Sequence, residues 1–322
     1  MSSWEPHNVD SPVDDRAGPA RLSHQALLYQ GMTEYLDIVT SFVDHGLAAG
    51  EPVMVAVPGS KAKMIRTGVK RRGTYFVDMA ELGRNPGRII PAIQEFLQQH
   101  RDRATRFVGE PIWPGRHPAE VAEATRHEAL INVALAEAPV TILCPYDLDG
   151  LANGVLDDCW RTHPEVIRAG VTEGSGEYDN PRNVCIDEAW PLSSPPAGVA
   201  GRDFESDTDL SKIRSWVQEF GWAAGLSVDR VDDLVLAVSE VAGNSIRHGG
   251  GSGVLCVWGD AEGAVVCEVR DAGYITDPLV GRHAPGPDFD VNGLWLVNQL
   301  CDLVQIRSSH AAGTQVRLTM AP

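Results

Sequence analysis

Residues 189–201 read Ala-Trp-Pro-Leu-Ser-Ser-Pro-Pro-Ala-Gly-Val-Ala-Gly, a run too rich in Pro, Gly and Ser to hold a helix or a central strand. It acts as a linker and divides the chain into two blocks of different grammar. Before it, β-rich apolar runs at 53–57, 74–78, 105–108 and 140–144 alternate with helical patterns at about 32–49, 88–100, 118–136 and 147–161. Continuous apolar strands of this kind suit burial on both faces, and their alternation with helices predicts an α/β domain with a mostly parallel sheet covered on both sides. After it, the order is two helices (210–224 and 227–248), a strand pair (254–258 and 264–270), a loop, a helix, and two more strands (303–308 and 314–319). Helices segregated from an antiparallel-looking sheet predict an α+β sandwich. The 322 residues suit two domains.

Composition narrows the function classes. Hydrophobic residues make up 43% and charged residues 22%, as in a globular protein with real cores. No apolar run approaches the ~18 residues that span a bilayer. The polar, acidic start (Met-Ser-Ser-Trp-Glu-Pro-His-Asn) has no secretory pattern and reads as a disordered lead. A cytoplasmic protein with no membrane association is expected. The net charge of −17 argues against direct nucleic-acid binding and is compatible with a basic protein partner. The six cysteines form no C-x-x-C pair, so no zinc knuckle is expected, and buried free thiols are the simplest reading.

The second block carries the chemistry. In the helix ending at His248, residues Val231, Leu234, Val235, Val238, Val241 and Ala242 follow helical spacing and form the buried stripe. Glu240 and Asn244, four apart, share another face, which His248 continues, and Gly249-Gly250 ends the helix. A carboxylate beside a carboxamide suits metal–nucleotide work: Asn244 can offer an oxygen to Mg²⁺, and Glu240 can deprotonate an attacking hydroxyl. Read alone, the pair also fits a solvated helix face. Asp271-Ala272-Gly273 follows a strand. The aspartate can accept from an adenine amino group while the glycine lets backbone approach the base, although D-x-G also marks a plain turn. A loop rich in Gly, Pro and Asp, 274–291, has the composition of a mobile lid. Asn292-Gly293 opens a helix whose free N–H groups suit phosphate. Gly313-Thr314 opens the last strand and could line the phosphate end of the pocket, though a tight hairpin has the same signature.

These four pieces, in this order over about 75 residues, resemble the ATPase superfamily of gyrase, histidine kinases and MutL. The S-E-x-x-x-N form at 239–244 and the run Gly-Leu-Trp-Leu-Val-Asn-Gln-Leu-Cys-Asp from Gly293 look like its anti-sigma-factor serine kinase branch. The resemblance implies ATP and Mg²⁺ as cofactors, Glu240 as catalytic base and Asn244 as the Mg²⁺ ligand. It implies nucleotide contacts from Asn244, His248, Asp271, Gly273, Asn292, Gly293, Leu294, Gly313 and Thr314, with Asp271 reading adenine. It also implies a transcriptional regulator of the stress-response kind, partnered by a sigma factor and an anti-anti-sigma protein phosphorylated on serine, and it admits a homodimer. One position departs from the family's G-x-G-L: Val291 replaces the first glycine, and its branched Cβ resists the close backbone approach that glycine permits. A module that binds ATP or a sigma factor without catalysis is therefore the alternative.

In the first block, Pro58-Gly59-Ser60-Lys61 follows a strand like a phosphate loop but does not meet the G-x-x-x-x-G-K-[ST] pattern. His24 to Tyr29, Gly109-Glu110-Pro111, Arg126-His127-Glu128 with Asn132, and His163-Pro164-Glu165 resemble the MEDS sensory domain, a degenerate RecA-like fold, over about 20–180. In open α/β sheets ligands bind at the carboxyl ends of strands. A small-molecule pocket there would draw on Tyr29, Glu110, Trp113, Glu128, Cys144 and Tyr146. The expected organisation is a disordered lead 1–19, a MEDS-like sensory domain 20–185, a linker 186–203 and a histidine-kinase-like ATPase domain 204–322. A sensor histidine kinase is a further alternative, because His127-Glu128 opens a phosphoacceptor-like stretch. Asn132 stands where that box needs proline, and a strand follows almost at once where a second dimerisation helix would be needed.

Overall fold

The computed structural model describes residues 21–181, 192–283 and 293–322. The expected disordered lead, the start of the linker, and Val291 and Asn292 with residues 284–290 before them lie outside the described residues. The chain has two compact units: 21–78, 99–114 and 135–178 form the first, and 79–98 and 115–134 join the C-terminal residues in the second.

The first unit is built on a seven-stranded sheet. In chain order its strands are β1 (Ser23–Tyr29), β2 (Val53–Val57), β3 (Thr74–Asp78), β4 (Thr105–Gly109), β5 (Val140–Asp147), β6 (Glu165–Arg168) and β7 (Val171–Gly174), and their spatial order is β3-β2-β4-β5-β1-β6-β7. Every pair is parallel except β6 with β7. Helices α1 (Gly31–Ala48), α2 (Gly59–Gly68) and α6 (Asn153–Thr162) belong to it. β2 is buried at every position, as its unbroken apolar run requires, and β4 is buried too, its Arg106 paired with Glu51. The helix expected from residue 147 starts at Asn153 instead, because Pro145, Tyr146 and Asp147 remain extended, in register with Leu27, Leu28 and Tyr29 of β1.

The second unit holds α3 (Met79–Leu82), α4 (Ile89–Gln99, all but its last residue) and α5 (Pro118–Ala134), then β8 (Arg202–Phe204), α7 (Asp207–Ala223), α8 (Val228–His248), β9 (Gly253–Gly259), β10 (Val265–Asp271), α9 (Gly293–Leu300), β11 (Leu303–Ser309) and β12 (Gly313–Met320). Its sheet runs β11-β12-β10-β9-β8, antiparallel throughout. Ser206 caps α7 by accepting from Asp209 N, and Ser227 caps α8 by accepting from Arg230 N. Val231, Leu234, Val238, Val241 and Ala242 of α8 are buried in the core against the sheet, with Val235 partly buried beside them. No described helix is long and apolar enough to cross a membrane.

The carboxyl end of α9 is held from outside its own stretch of chain. Arg88 donates to the carbonyls of Asn298, Gln299 and Cys301 at 2.7–2.8 Å, and Asn85 Nδ2 donates to the Asn298 backbone and side-chain oxygens at 3.0 Å. A helix's last carbonyls lack intrahelical partners and carry the negative end of its dipole, so a cation supplies both needs. Arg88→Ala removes three charge-assisted bonds. At roughly 1.5–3 kcal/mol for such bonding, hydrogen exchange across 293–300 should quicken about ten- to hundredfold while the rest of the sheet keeps its protection. Mass-spectrometric exchange on the intact chain checks this.

Candidate functional site

The N-terminal end of α9 meets the polar face of α8. A Cβ built on Gly293 would stand 2.6 Å from Glu240 Oε2 and 3.6 Å from Asn244 Nδ2, so any larger residue here would displace the Glu240 carboxylate from the start of the helix. Glu240 and Asn244 are half-buried one turn apart, and His248 is exposed at the end of the same helix. Asn244 Oδ1, the oxygen suited to a hard cation, accepts from Arg247 Nη2 at 2.9 Å. A metal at Asn244 would take the second lone pair of that oxygen, with the Arg247 cation beside it.

At the end of β10, Asp271 is fixed on both carboxylate oxygens. Oδ1 accepts from Gly273 N at 2.8 Å and Oδ2 from Ser245 Oγ at 2.6 Å. Each oxygen retains a second lone pair for a ligand donor. Gly249 ends α8 with φ −94°, so positive φ is not why glycine stands there. A Cβ at 249 would meet Asp271 Cγ at 2.4 Å, and one at 273 would meet Gly249 Cα at 2.7 Å. Thr314 pairs with Asp271 in the ladder, and its hydroxyl donates to Gly273 O at 2.9 Å and bonds Ser308 Oγ at 2.8 Å. Thr314 therefore stands against the aspartate. Gly313 turns the β11–β12 hairpin with φ +76°, and a Cβ there would lie 2.2 Å from Asp271 O.

A cleft of about 70 Å³ joins these parts, lined among others by Asn244, His248, Asp271, Gly273, Leu294 and Thr314. Sequence reasoning did not find Ser245, whose hydroxyl orients Asp271, or Arg247. Both lie within four residues of Asn244 on the same helix; the partner of Ser245 is set by how β10 packs on the helix, while Arg247 reaches Asn244 within one turn of the same helix.

The first unit gathers a different set. Glu110, just beyond β4, is 1% exposed. It accepts from Tyr35 Oη at 3.1 Å and pairs with Lys61 of α2, which also donates to Tyr29 Oη at 2.6 Å. Lys61 comes from the stretch that resembled a phosphate loop, and here it neutralises a buried carboxylate. Burial pushes the Glu110 pKa up to about 7, and Lys61 and the Tyr35 hydroxyl pull it back. Burial, then Glu110, raises both tyrosine pKa values. Cys144 and Tyr146 lie elsewhere: Cys144 Sγ is 3.4 Å from His24 Nε2, and Tyr146 meets His163 edge-on at 5.5 Å. Trp113 is half-buried after Ile112, and Glu128 is buried in α5 of the second unit. The six residues expected to line one pocket are thus not a single cluster.

A five-stranded antiparallel sheet backed by helices, with a Glu–Asn face, a D-x-G turn and a glycine-led helix around one cleft, defines a histidine-kinase-like ATPase domain. Residues 205–320 match the family model described as histidine kinase-like ATPase domain, and residues 23–164 match MEDS, the methanogen/methylotroph, DcmR sensory domain. The chain carries a MEDS domain ahead of a histidine kinase-like ATPase domain. Among solved structures it is similar to the RsbU and RsbW domains of a Mycobacterium tuberculosis protein, at 18% identity and a TM-score of 0.29, covering 64% of this chain and 49% of that one. The chain thus spans about half the length of that structure. No curated protein matches it.

Two outcomes follow from the site. Asp271→Asn removes a charged acceptor and should weaken adenine-nucleotide binding by roughly 1.5–3 kcal/mol, about one to two decades in Kd, measurable by calorimetry on the folded variant. In the first unit, the Glu110 pKa stands above the ordinary 4.5 of an unfolded carboxyl. The folded state then holds the proton more tightly, and this group's contribution to stability falls as pH rises from about 4.5 through about 7. Lys61→Met removes the cation that lowers the pKa, so it should rise above 7 and the loss should extend to higher pH. Carboxyl-carbon NMR with glutamate labelling reads the shift.

Proposed function

We propose that the protein is an ATP-binding regulator that sequesters a sigma factor and phosphorylates an anti-anti-sigma protein on serine, with the N-terminal domain modulating it. The observation that carries the reading is the seating of the α9 N-terminus on Glu240 and Asn244, with Asp271 fixed within the same cleft. An N-terminus with a glycine at its first turn can take the phosphates of a nucleotide, and Asp271 its adenine amino group. Asn244 would hold Mg²⁺, which supplies charge neutralisation at the transferred phosphoryl group. Glu240 would accept the proton of the attacking serine hydroxyl. His248, Gly273, Leu294, Gly313 and Thr314 complete the walls, and Asn292 would add a backbone N–H. Domain limits of 20–185 and 204–322 remain part of this proposal. Residues 79–98 and 115–134 fall inside the stretch matched by the MEDS model yet cluster with the C-terminal unit. Their hold on α9 supports a route by which the sensory stretch biases the nucleotide site.

A second reading has its own support. The Arg247 guanidinium puts a positive charge beside the Asn244 oxygen where Mg²⁺ would sit, which suits a clamp that binds a partner without turning over ATP. The histidine-kinase reading is disfavoured, because His127 is 1% exposed within α5 and could not receive a phosphoryl group there.

The intact chain should bind Mg-ATP by calorimetry. Glu240→Ala should keep that affinity while phosphoryl transfer to a serine-bearing anti-anti-sigma partner falls by about 10²–10⁴-fold, the range for a general base. Wild-type protein that binds a sigma factor but transfers nothing would establish the clamp instead.

A further inference from the structure

Three residues far apart in sequence bring metal-binding atoms together inside the first unit. His24 lies on β1, Cys144 on β5, and His163 just ahead of β6. β1 lies between β5 and β6, with Ala26 opposite Cys144 in parallel register. His24, two residues before Ala26, therefore points to the face that Cys144 occupies. All three side chains are at most 2% exposed. Their ligand atoms lie within 4.8 Å of one another.

The geometry inside this group is that of ligands rather than of stacked rings. Cys144 Sγ stands 3.4 Å from His24 Nε2. A four-coordinate zinc ion with Zn–S of about 2.3 Å and Zn–N of about 2.0–2.1 Å sets its sulfur and nitrogen ligands about 3.6 Å apart. The two imidazole rings, with centroids 4.2 Å apart, are tilted by 44° to one another. His163 Nδ1 is 3.0 Å from the Cys159 carbonyl and 3.0 Å from Thr162 Oγ1. A carbonyl only accepts, so Nδ1 carries the hydrogen and Nε2 the lone pair. Fixing the tautomer through a backbone carbonyl is how proteins orient histidines for a metal.

We propose that His24, Cys144 and His163 form a binding site for a thiophilic divalent transition-metal ion, zinc above others. Two imidazoles and a thiolate suit zinc and disfavour Mg²⁺ and Ca²⁺, which seek oxygen. On binding, the Cys144 S–H bond breaks, its proton passes to buffer, and the sulfur bonds the metal. One proton is released per ion and nothing is oxidised or reduced. The C-x-x-C spacing that flags many zinc sites is absent because here sheet register, rather than a local loop, assembles the ligands.

The test uses the full-length chain, purified without a histidine tag. Elemental analysis should find about one zinc per chain. Stripped protein titrated with Co²⁺ should show a near-ultraviolet thiolate-to-cobalt charge-transfer band and the intense visible bands of a tetrahedral ion. Cys144→Ser should abolish the charge-transfer band, His163→Gln should weaken cobalt binding, and Cys159→Ser, which changes a neighbouring buried thiol, should keep the full spectrum. Should Cys144→Ser fail to fold, X-ray absorption on zinc-loaded wild type replaces it, with one sulfur and at least two nitrogens expected around the ion. Folded wild type that takes up neither ion, a charge-transfer band that survives in Cys144→Ser, or a zinc shell without sulfur would overturn the proposal.

Discussion

The close approach of α9 to α8 is the constraint around which the C-terminal unit is arranged. A side chain at residue 293 would have to displace the Glu240 carboxylate, and Leu294 and Val297 beyond it enter the core that α8 shares with the sheet. The same short helix must therefore satisfy two demands, an apolar flank that packs and a polar end that faces a carboxylate. Eight residues hold too few hydrogen bonds to be stable alone. The Arg88 and Asn85 bonds at its other end, together with Arg230 donating to Leu300 O at 3.2 Å, supply what propensity does not. Arg88 is costly to hold there. Burial lowers its pKa, and Asp302 works against that fall. A helix whose amino-terminal end depends on outside contacts at its far end is one whose position those contacts can bias.

A similar economy governs the surroundings of Asp271. Three glycines, 249, 273 and 313, lie where a Cβ would strike Asp271 or its neighbouring backbone, and only Gly313 has a backbone conformation that favours glycine by itself. The other two are glycine for lack of space. The aspartate gains a fixed orientation from Ser245 and Gly273 N, and the strand pairing with Thr314 locks the turn behind it.

Much of this was legible in the sequence, and the reasons differ by element. The stripe on α8 follows a period that burial demands, so its members could be named before the fold was known. The parallel sheet declared itself through β2, whose apolar run suits burial on both faces, and through the alternation of strands with helices. β1 was harder, since His24 and Gln25 interrupt its apolar pattern for reasons of side-chain chemistry. The three-residue β8 fell within the expected linker, because it is defined by pairing with β9 rather than by composition. Asn85, Arg88 and Glu123 carried no local signal. Glu123 is fully buried, paired with Arg307 at 2.6 Å and Arg282 at 3.6 Å, and a mid-helix glutamate reads as solvated until its partners from distant segments are known.

The N-terminal sheet shows why one expected pocket resolves into two polar groups. Successive side chains on a strand face opposite sides, so His24 and Tyr29, five residues apart on β1, must look in opposite directions. They are also separated along the strand by about 16 Å at 3.3 Å per residue. Tyr29 joins Lys61, Tyr35 and Glu110, where a carboxylate and a cation offset each other's burial. His24 joins Cys144 and His163, whose donors are those a soft metal prefers. Buried polar groups persist in a core only when their bonding is satisfied. Opposite charges meet that condition in the first group, and in the second the contacts of Cys144 with His24 and of His163 with Thr162 and the Cys159 carbonyl contribute to it.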